Sequence, residues 1–329
     1  MGGWLTKRLL AEGAHVIALV RHQPRGLFLT EGCPERCVVV YGSLGDLNLL
    51  RRTVCEYEVD TVFHLAAQAL AGAARKDPVG TLETNVQGTW HLLESARGTG
   101  VKQIIIASSD KAYGDSDSLP YLEDQPLEGR LPYDVSKSCA DLISAMYAAT
   151  YGLPVAVVRC ANLYGGGDFN FDRVIPGVIQ ATLRGERFAI RSDGLFIRDF
   201  LYVEDAAVGC MAVAQGLAGD RSLIGEAFNL GLGTRLTVLD VADSVLRLMG
   251  RQDLEPLILN QANAEIRARY MSCDKARKCL GWKPGYTFEE GLRETIEWYR
   301  AHLAVPVARP SDPRFTNITV QLDDRSTSR

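Results

Sequence analysis

The sequence predicts an α/β protein built on a doubly wound parallel sheet, with a smaller second domain towards the carboxy terminus. Three observations carry this. Short β-branched apolar runs recur along the chain. Longer stretches with helical spacing of apolar residues separate most of them. The run at Ile104–Ala107 is apolar throughout, as a strand covered on both faces requires.

Taken in order, Val16–Val20 and Val38–Tyr41 are the first two strands, each a short apolar run rich in β-branched residues. Leu49 to Glu56 has helical spacing. Val62–Ala66 is the next strand, and Thr84 to Arg97 the next helix. Ile104–Ala107, a helix from Ser136 to Tyr151, and Val155–Arg159 continue the alternation. Strands alternating with helices give parallel pairs, right-handed crossovers and helices on both faces. The beat weakens after Gly167. Residues 1–167 are expected to form the sheet domain, with 226–232 returning to it through the strand Ala227–Leu230, and 168–304 mainly the second domain. Residues 305–329 hold three prolines, many polar residues and no periodicity, and read as a flexible tail.

The chain has 329 residues, 47% hydrophobic and 23% charged, with a formal net charge of -4. That balance gives no electrostatic footprint for nucleic acid or an anionic membrane. No apolar run approaches the ~20 residues that span a bilayer, and the start MGGWLTKRLLAEG reads as no signal peptide. The eight scattered cysteines read as free thiols of a reducing cytoplasm. Cys33 and Cys37 lack the second pair or clustered His of a zinc site, so no metal is expected.

Two motifs carry chemistry. Tyr133-Asp134-Val135-Ser136-Lys137 places Tyr133 and Lys137 on one face at the start of a helix. A cationic Lys beside a phenol favours the phenolate, which suits a general base. Upstream, Ile104 to Lys111 is a buried strand ending in Ser108, Ser109, Asp110 and Lys111. Ligands of open parallel sheets sit at such carboxyl ends, and a serine there can hold a hydroxyl that Tyr133 deprotonates.

These motifs belong to a longer ordered set. His64-Leu65-Ala66-Ala67-Gln68, Thr84 to Thr89, Ser108 to Gly114, Tyr133 to Lys137, Arg159 to Gly165, Arg198 to Asp205 and Asp274 to Pro284 follow one another between Met1 and His302. The set resembles the extended short-chain dehydrogenase/reductase family of NAD(P)-dependent nucleotide-sugar epimerases and dehydratases, which implies a Rossmann-like fold. The Ser109-Asp110-Lys111 triplet, followed by Asn162 and Gly165-Gly166-Gly167-Asp168, resembles most the CDP-glucose/dTDP-glucose 4,6-dehydratase branch. The implied reaction turns an NDP-glucose-type sugar into the NDP-4-keto-6-deoxysugar through transient oxidation at carbon 4, loss of water and reduction at carbon 6. By resemblance, Tyr133 is the base, Ser109 holds the 4-hydroxyl, Lys137 holds the cofactor ribose and the phenolate, and Asp110 protonates the departing hydroxyl. Lys111 stands where many relatives place a glutamate as the carbon 5 base. Cofactor positions are Gly2, Arg21, Ser43, Leu44, Leu65, Ala66 and Ala67, with Tyr133 and Lys137. Substrate positions are Asn85, Asn162, Arg198 and Arg267. The resemblance also implies a homodimer built through the helix of Tyr133 and the helix beginning near Thr84.

The amino terminus departs from the family pattern. Gly2 matches the last glycine of a Gly-x-x-Gly-x-x-Gly turn, while the first strand and the first two glycines have no counterpart. A sheet without that strand should show a gap between its neighbours, and cofactor binding by the chain as written is open. Arg21, His22 and Arg25 follow the Val16–Val20 strand where NAD enzymes carry an acid, which leans towards NADP over NAD. Ser43 stands where an aspartate is common. Two other readings stay open: an epimerase or decarboxylase on the same fold, and a truncated, non-catalytic nucleotide-binding relative.

Overall fold

A computed structural model describes residues 1–21, 27–261 and 266–303. The segment 305–329, His22 and Arg25 lie outside the described residues. Four strands form the larger sheet: β3 (Thr61–His64), β4 (Gln103–Ser109), β5 (Val155–Cys160) and β10 (Ala227–Leu230), in the order β10-β5-β4-β3 and all parallel. The two middle strands are the continuous apolar runs. Ile104, Ile105 and Ile106 are wholly buried, as is every residue of β5. The return of Ala227–Leu230 to the main sheet is thus observed.

The first two strands, β1 (Ile17–Val20) and β2 (Val38–Tyr41), pair parallel with each other but form a separate two-stranded sheet. The expected single sheet is therefore split, and the split falls between β1 and β3. Central strands of a doubly wound sheet are buried on both faces. Here all of β1, and β3 except for His64, are only half-buried, because each has a partner strand on one side alone.

Helices cover these strands. They are α1 (Gly2–Ala11), α2 (Leu27–Thr30), α3 (Leu47–Glu56), α4 (Ala71–Lys76), α5 (Pro78–Leu82), α6 (Gly88–Ala96) and α7 (Pro132–Tyr151). Asp46 caps α3 by accepting from Leu49 N at 2.9 Å. Between α5 and α6, Glu83–Gln87 forms a π turn inside the helix read at Thr84 to Arg97. Pro132 opens α7 and Gly152, at φ 64°, closes it.

The rest of the chain adds β6 (Asn162–Tyr164), β7 (Ala189–Ile190), β8 (Ile197–Arg198), β9 (Phe200–Tyr202), β11 (Leu236–Thr237), β12 (Leu257–Ile258) and β13 (Ala268–Arg269). It also adds α8 (Val174–Arg184), α9 (Val203–Gly219), α10 (Val238–Met249), α11 (Asp274–Leu280) and α12 (Phe288–Leu303). One pairing matters for the site: β8 and β13 run parallel with Arg198 opposite Arg269. All eight cysteines are free, and four of them, Cys33, Cys160, Cys210 and Cys273, are buried. Among the described residues no helix is long and apolar enough to cross a membrane.

Candidate active site

β4 ends at Ser109 and turns at once into a 3₁₀ turn, Asp110–Tyr113. Ser109 caps that turn: its Oγ accepts from Lys111 N at 3.3 Å and donates to Asp110 Oδ1 at 3.0 Å. Gly114 ends it at φ 76°, and a Cβ there would lie 2.2 Å from the Glu128 carbonyl oxygen, so the close approach needs glycine. The first turns of α7 are tied to the same strand end. Lys137 Nζ donates to Ala107 O at 2.7 Å, and Ser138 Oγ donates to Ala112 O at 2.9 Å. Those two bonds bring Tyr133 to the end of β4, into the cavity that Ser109 also lines.

Burial governs the protonation of this group. Tyr133 is pushed up to about 12, chiefly by burial, with the Ser109 side chain opposing in part. The expectation that Lys137 alone would favour the phenolate is thus outweighed by desolvation. Lys137 is itself driven down to about 8 by burial. The Nζ atoms of Lys111 and Lys137 lie 5.6 and 5.9 Å from the centre of the Tyr133 ring. Below them, burial and then Lys137 hold His64 near 3, so its imidazole is neutral and shares a 3.1 Å bond with Thr89 Oγ1.

Asn85 sits on the π turn, wholly enclosed. Its Oδ1 accepts from Gln68 N at 2.7 Å, and its Nδ2 donates to Gln68 O at 3.1 Å and Ser136 Oγ at 2.8 Å. Ser136 Oγ in turn donates to Tyr133 O at 2.7 Å. Asn85 therefore links the loop after β3 to the helix turn that carries Tyr133, as a support within the backbone. A second buried network stands behind the site. Arg159 donates to Asp141 Oδ1 through Nε (3.1 Å) and Nη2 (2.9 Å), and to Tyr113 Oη through Nη1 (2.8 Å). Tyr113 Oη donates to Asn229 Oδ1 at 2.7 Å, which makes Tyr113 part of the scaffold.

Ser109, Asp110, Lys111, Tyr133 and Lys137 open onto one cavity of about 1380 Å³. Gly2, Leu65, Ala67, Asn162 and Arg198 line it too. Asn162 Nδ2 donates to Asp199 O at 3.1 Å. Arg198 is buried, and its Nη1 donates to Ile197 O at 2.8 Å. Arg267 stands at the edge: it is exposed, pairs with Asp193 at 3.0 Å and lies 5.5 Å over the ring of Phe196, a cavity residue, but does not itself line the cavity. Of the two arginines in that segment, the one that lines the cavity is Arg269, two residues further on, buried and 3.4 Å from Asp110 Oδ1. Sequence reasoning missed it, although Arg267-Ala268-Arg269 offers two candidates, because spacing alone does not say which one faces inward.

The residues present fit the nicotinamide end of a dinucleotide. Leu65, Ala67, Ser108, Tyr133 and Lys137 line the same cavity, and the buried Ser108 Oγ has no partner. α1 starts at Gly2 without a side-chain cap, and a Cβ on Gly2 would meet nothing within 4 Å. Uncapped helix N–H groups beside open space suit a phosphate. The adenosine positions lie away from this cavity. Arg21 and Ala66 are exposed, and Ser43 Oγ accepts from Gly45 N at 3.2 Å. Leu44 is buried, packed where a Cβ on Gly88 would come within 2.9 Å of it.

A parallel sheet whose central strand ends in Ser109, with Tyr133 and Lys137 one helical turn apart over it, defines a short-chain dehydrogenase/reductase enzyme. The comparisons narrow this class. Residues 1–295 match the model of the family described as GDP-mannose 4,6 dehydratase, and the chain belongs to that family. It is 31% identical over 317 residues to a CDP-glucose 4,6-dehydratase of Salmonella typhimurium, covering 91% of this chain and 88% of that protein. It is 33% identical over 267 residues to a dTDP-glucose 4,6-dehydratase of Streptomyces antibioticus, covering 80% and 77%. Among solved structures, a dTDP-glucose 4,6-dehydratase of Streptomyces venezuelae with NAD bound superposes with a TM-score of 0.81 at 29% identity, covering 91% of this chain and 94% of that one. The UDP-glucose 4-epimerase of Thermotoga maritima superposes with a TM-score of 0.82 at 28% identity, covering 92% and 96%.

Proposed function

We propose that the chain is an NDP-hexose 4,6-dehydratase that works with NAD or NADP and converts an NDP-glucose-type sugar to the NDP-4-keto-6-deoxysugar. The observation that carries this reading is the placement of Asp110. It hydrogen-bonds Ser109, faces the same cavity as Tyr133, and is buried. An epimerase needs one acid–base group at carbon 4, whereas a dehydratase needs a second acid for the hydroxyl that leaves carbon 6.

Tyr133 takes the proton of the sugar's 4-hydroxyl, and Ser109 holds that hydroxyl. Lys137 and Tyr133 would hold the ribose of the nicotinamide, beside Leu65 and Ala67, and Gly2 would approach the pyrophosphate. When bound, that group supplies hydride acceptance at carbon 4 and hydride return at carbon 6. The 4-ketone acidifies the carbon 5 hydrogen, Asp110 gives a proton to the departing 6-hydroxyl, and Lys111 stands beside Tyr133 as the group to take the carbon 5 proton and to return one to carbon 5 as carbon 6 is reduced. Arg198 and Asn162 face the nucleotide diphosphate.

A homodimer in the cytoplasm completes the proposal. Leu142 and Met146, four residues apart on α7, are exposed to 62% and 43%, and Leu82 and Trp90 on the neighbouring helices to 40% and 41%. Apolar side chains gathered like this mark an association surface. Eight free cysteines suit a reducing compartment. Residues 168–304 form the bulk of the nucleotide-sugar-binding part in this reading.

The test is a pair of variants assayed with dTDP-glucose and CDP-glucose. Tyr133→Phe should lose turnover by about 10²–10⁴. Asp110→Asn should still exchange hydride at carbon 4 while losing elimination of water by a similar factor. Full elimination by Asp110→Asn would refute the assignment of the acid.

A further inference from the structure

The side chains of Asp110 and Arg269 come from distant parts of the chain, the turn after β4 and the end of β13. They meet at 3.4 Å with side chains only 3% and 6% exposed, and both line the cavity. Each is half satisfied. Asp110 Oδ2 and Arg269 Nε are buried without a hydrogen-bond partner. A buried ion pair normally fills its remaining donors and acceptors, because unmet ones cost about 1–3 kcal/mol each. A guanidinium has five donors in a planar fork suited to phosphate oxygens, and Arg269 spends one of them on Asp110. Beside it in register stands Arg198, also buried and also on the cavity wall.

We propose that Arg269 is a positioning residue that exchanges partners: it holds Asp110 when the cavity lacks substrate and passes to the diphosphate when a nucleotide sugar binds. This rests on the reading of the cavity as a nucleotide-sugar site. The exchange couples binding to chemistry. Losing Arg269 to the diphosphate frees Asp110 Oδ1 to turn to the sugar. A carboxylate competing for the same guanidinium also opposes diphosphate binding, and this yields an outcome that a fixed structural pair would not.

The experiment measures binding of sugar-free dTDP and CDP by calorimetry to wild type, Asp110→Asn, Arg269→Gln and the double variant. Asp110→Asn should bind the diphosphate more tightly than wild type, on the order of tenfold for a coupling of ordinary size. Arg269→Gln should bind it more weakly. In the Arg269→Gln background the Asp110→Asn change should make no difference. Tighter binding is a result that a folding defect does not produce, and Arg269→Lys should keep part of the coupling. Equal or weaker binding by Asp110→Asn would overturn the exchange and leave a permanent clamp. If dTDP, CDP, UDP and GDP all fail to bind wild type, the reading of the cavity falls first, and the exchange falls with it.

Discussion

Lys137→Met should remove activity and yet relieve the fold of a cost. The Lys137 ammonium is buried, and burial lowers it from 10.5 to about 8. A shift of one unit corresponds to about 1.4 kcal/mol, so a charged Lys137 costs the native state about 3 kcal/mol relative to the unfolded chain. The sign follows from proton counting. Between pH 8 and 10.5 the unfolded chain holds a proton on this lysine that the native state has lost, so this contribution to stability rises with pH. Below 8 both states are charged and the cost is fully present. Against it stands the bond from Nζ to Ala107 O at 2.7 Å, worth about 1–3 kcal/mol when its loss strands a buried carbonyl. The two nearly cancel at pH 7, which predicts that Lys137→Met is within about 2 kcal/mol of wild type there. Urea unfolding at pH 7 and pH 10 supplies the decisive difference: wild type should gain about 2–3 kcal/mol relative to Lys137→Met over that interval. Parallel pH profiles for the two proteins would refute the buried, desolvated lysine.

Three further outcomes follow from other parts of the molecule. His64, held near 3 by burial, cannot take up the proton that the unfolded chain accepts below 6.5. Stability should therefore fall by about 3 kcal/mol from pH 6.5 to 4 in acid unfolding, and His64→Asn should lose that dependence. Asp141→Ala strands the buried Arg159 and should cost about 3–5 kcal/mol in denaturant unfolding, whereas Asp141→Leu with Arg159→Met should recover most of it. Leu142→Glu places a charge on the exposed apolar stripe of α7 and, if that face carries the proposed homodimer, should sediment as a monomer where wild type sediments as a dimer, without loss of helix signal.

Much of this was legible in the sequence, for reasons that can be named. β4 and β5 announce themselves because a strand covered on both faces needs an unbroken apolar run, and Ile104–Ile106 and Val155–Val158 supply one. Tyr133, Lys137 and Ser109 were found because spacing on a helix and position at a strand end are local facts. The split between β1 and β3 was legible because no run in this sequence matches the family's first strand. What stayed hidden depends on side chains meeting from afar. Asp141 reads as an ordinary helical surface acid, and only the fold shows it facing Arg159 from β5. The π turn at Glu83–Gln87 is a choice of backbone hydrogen bonding with no residue signature. Arg267 and Arg269 are indistinguishable in the sequence because the pairing of β13 with β8, which sets the inward residue, is not written in either segment.

The most direct test of the account is the mass of the product formed when the chain is incubated with NAD or NADP and dTDP-glucose or CDP-glucose. Tyr133, Ser109 and Asp110 acting in one cavity predict a nucleotide sugar lighter by one water, with one solvent hydrogen incorporated at carbon 5. A product of unchanged mass with inverted stereochemistry at carbon 4 would contradict the role of Asp110, and with it the assignment of the site as a dehydratase.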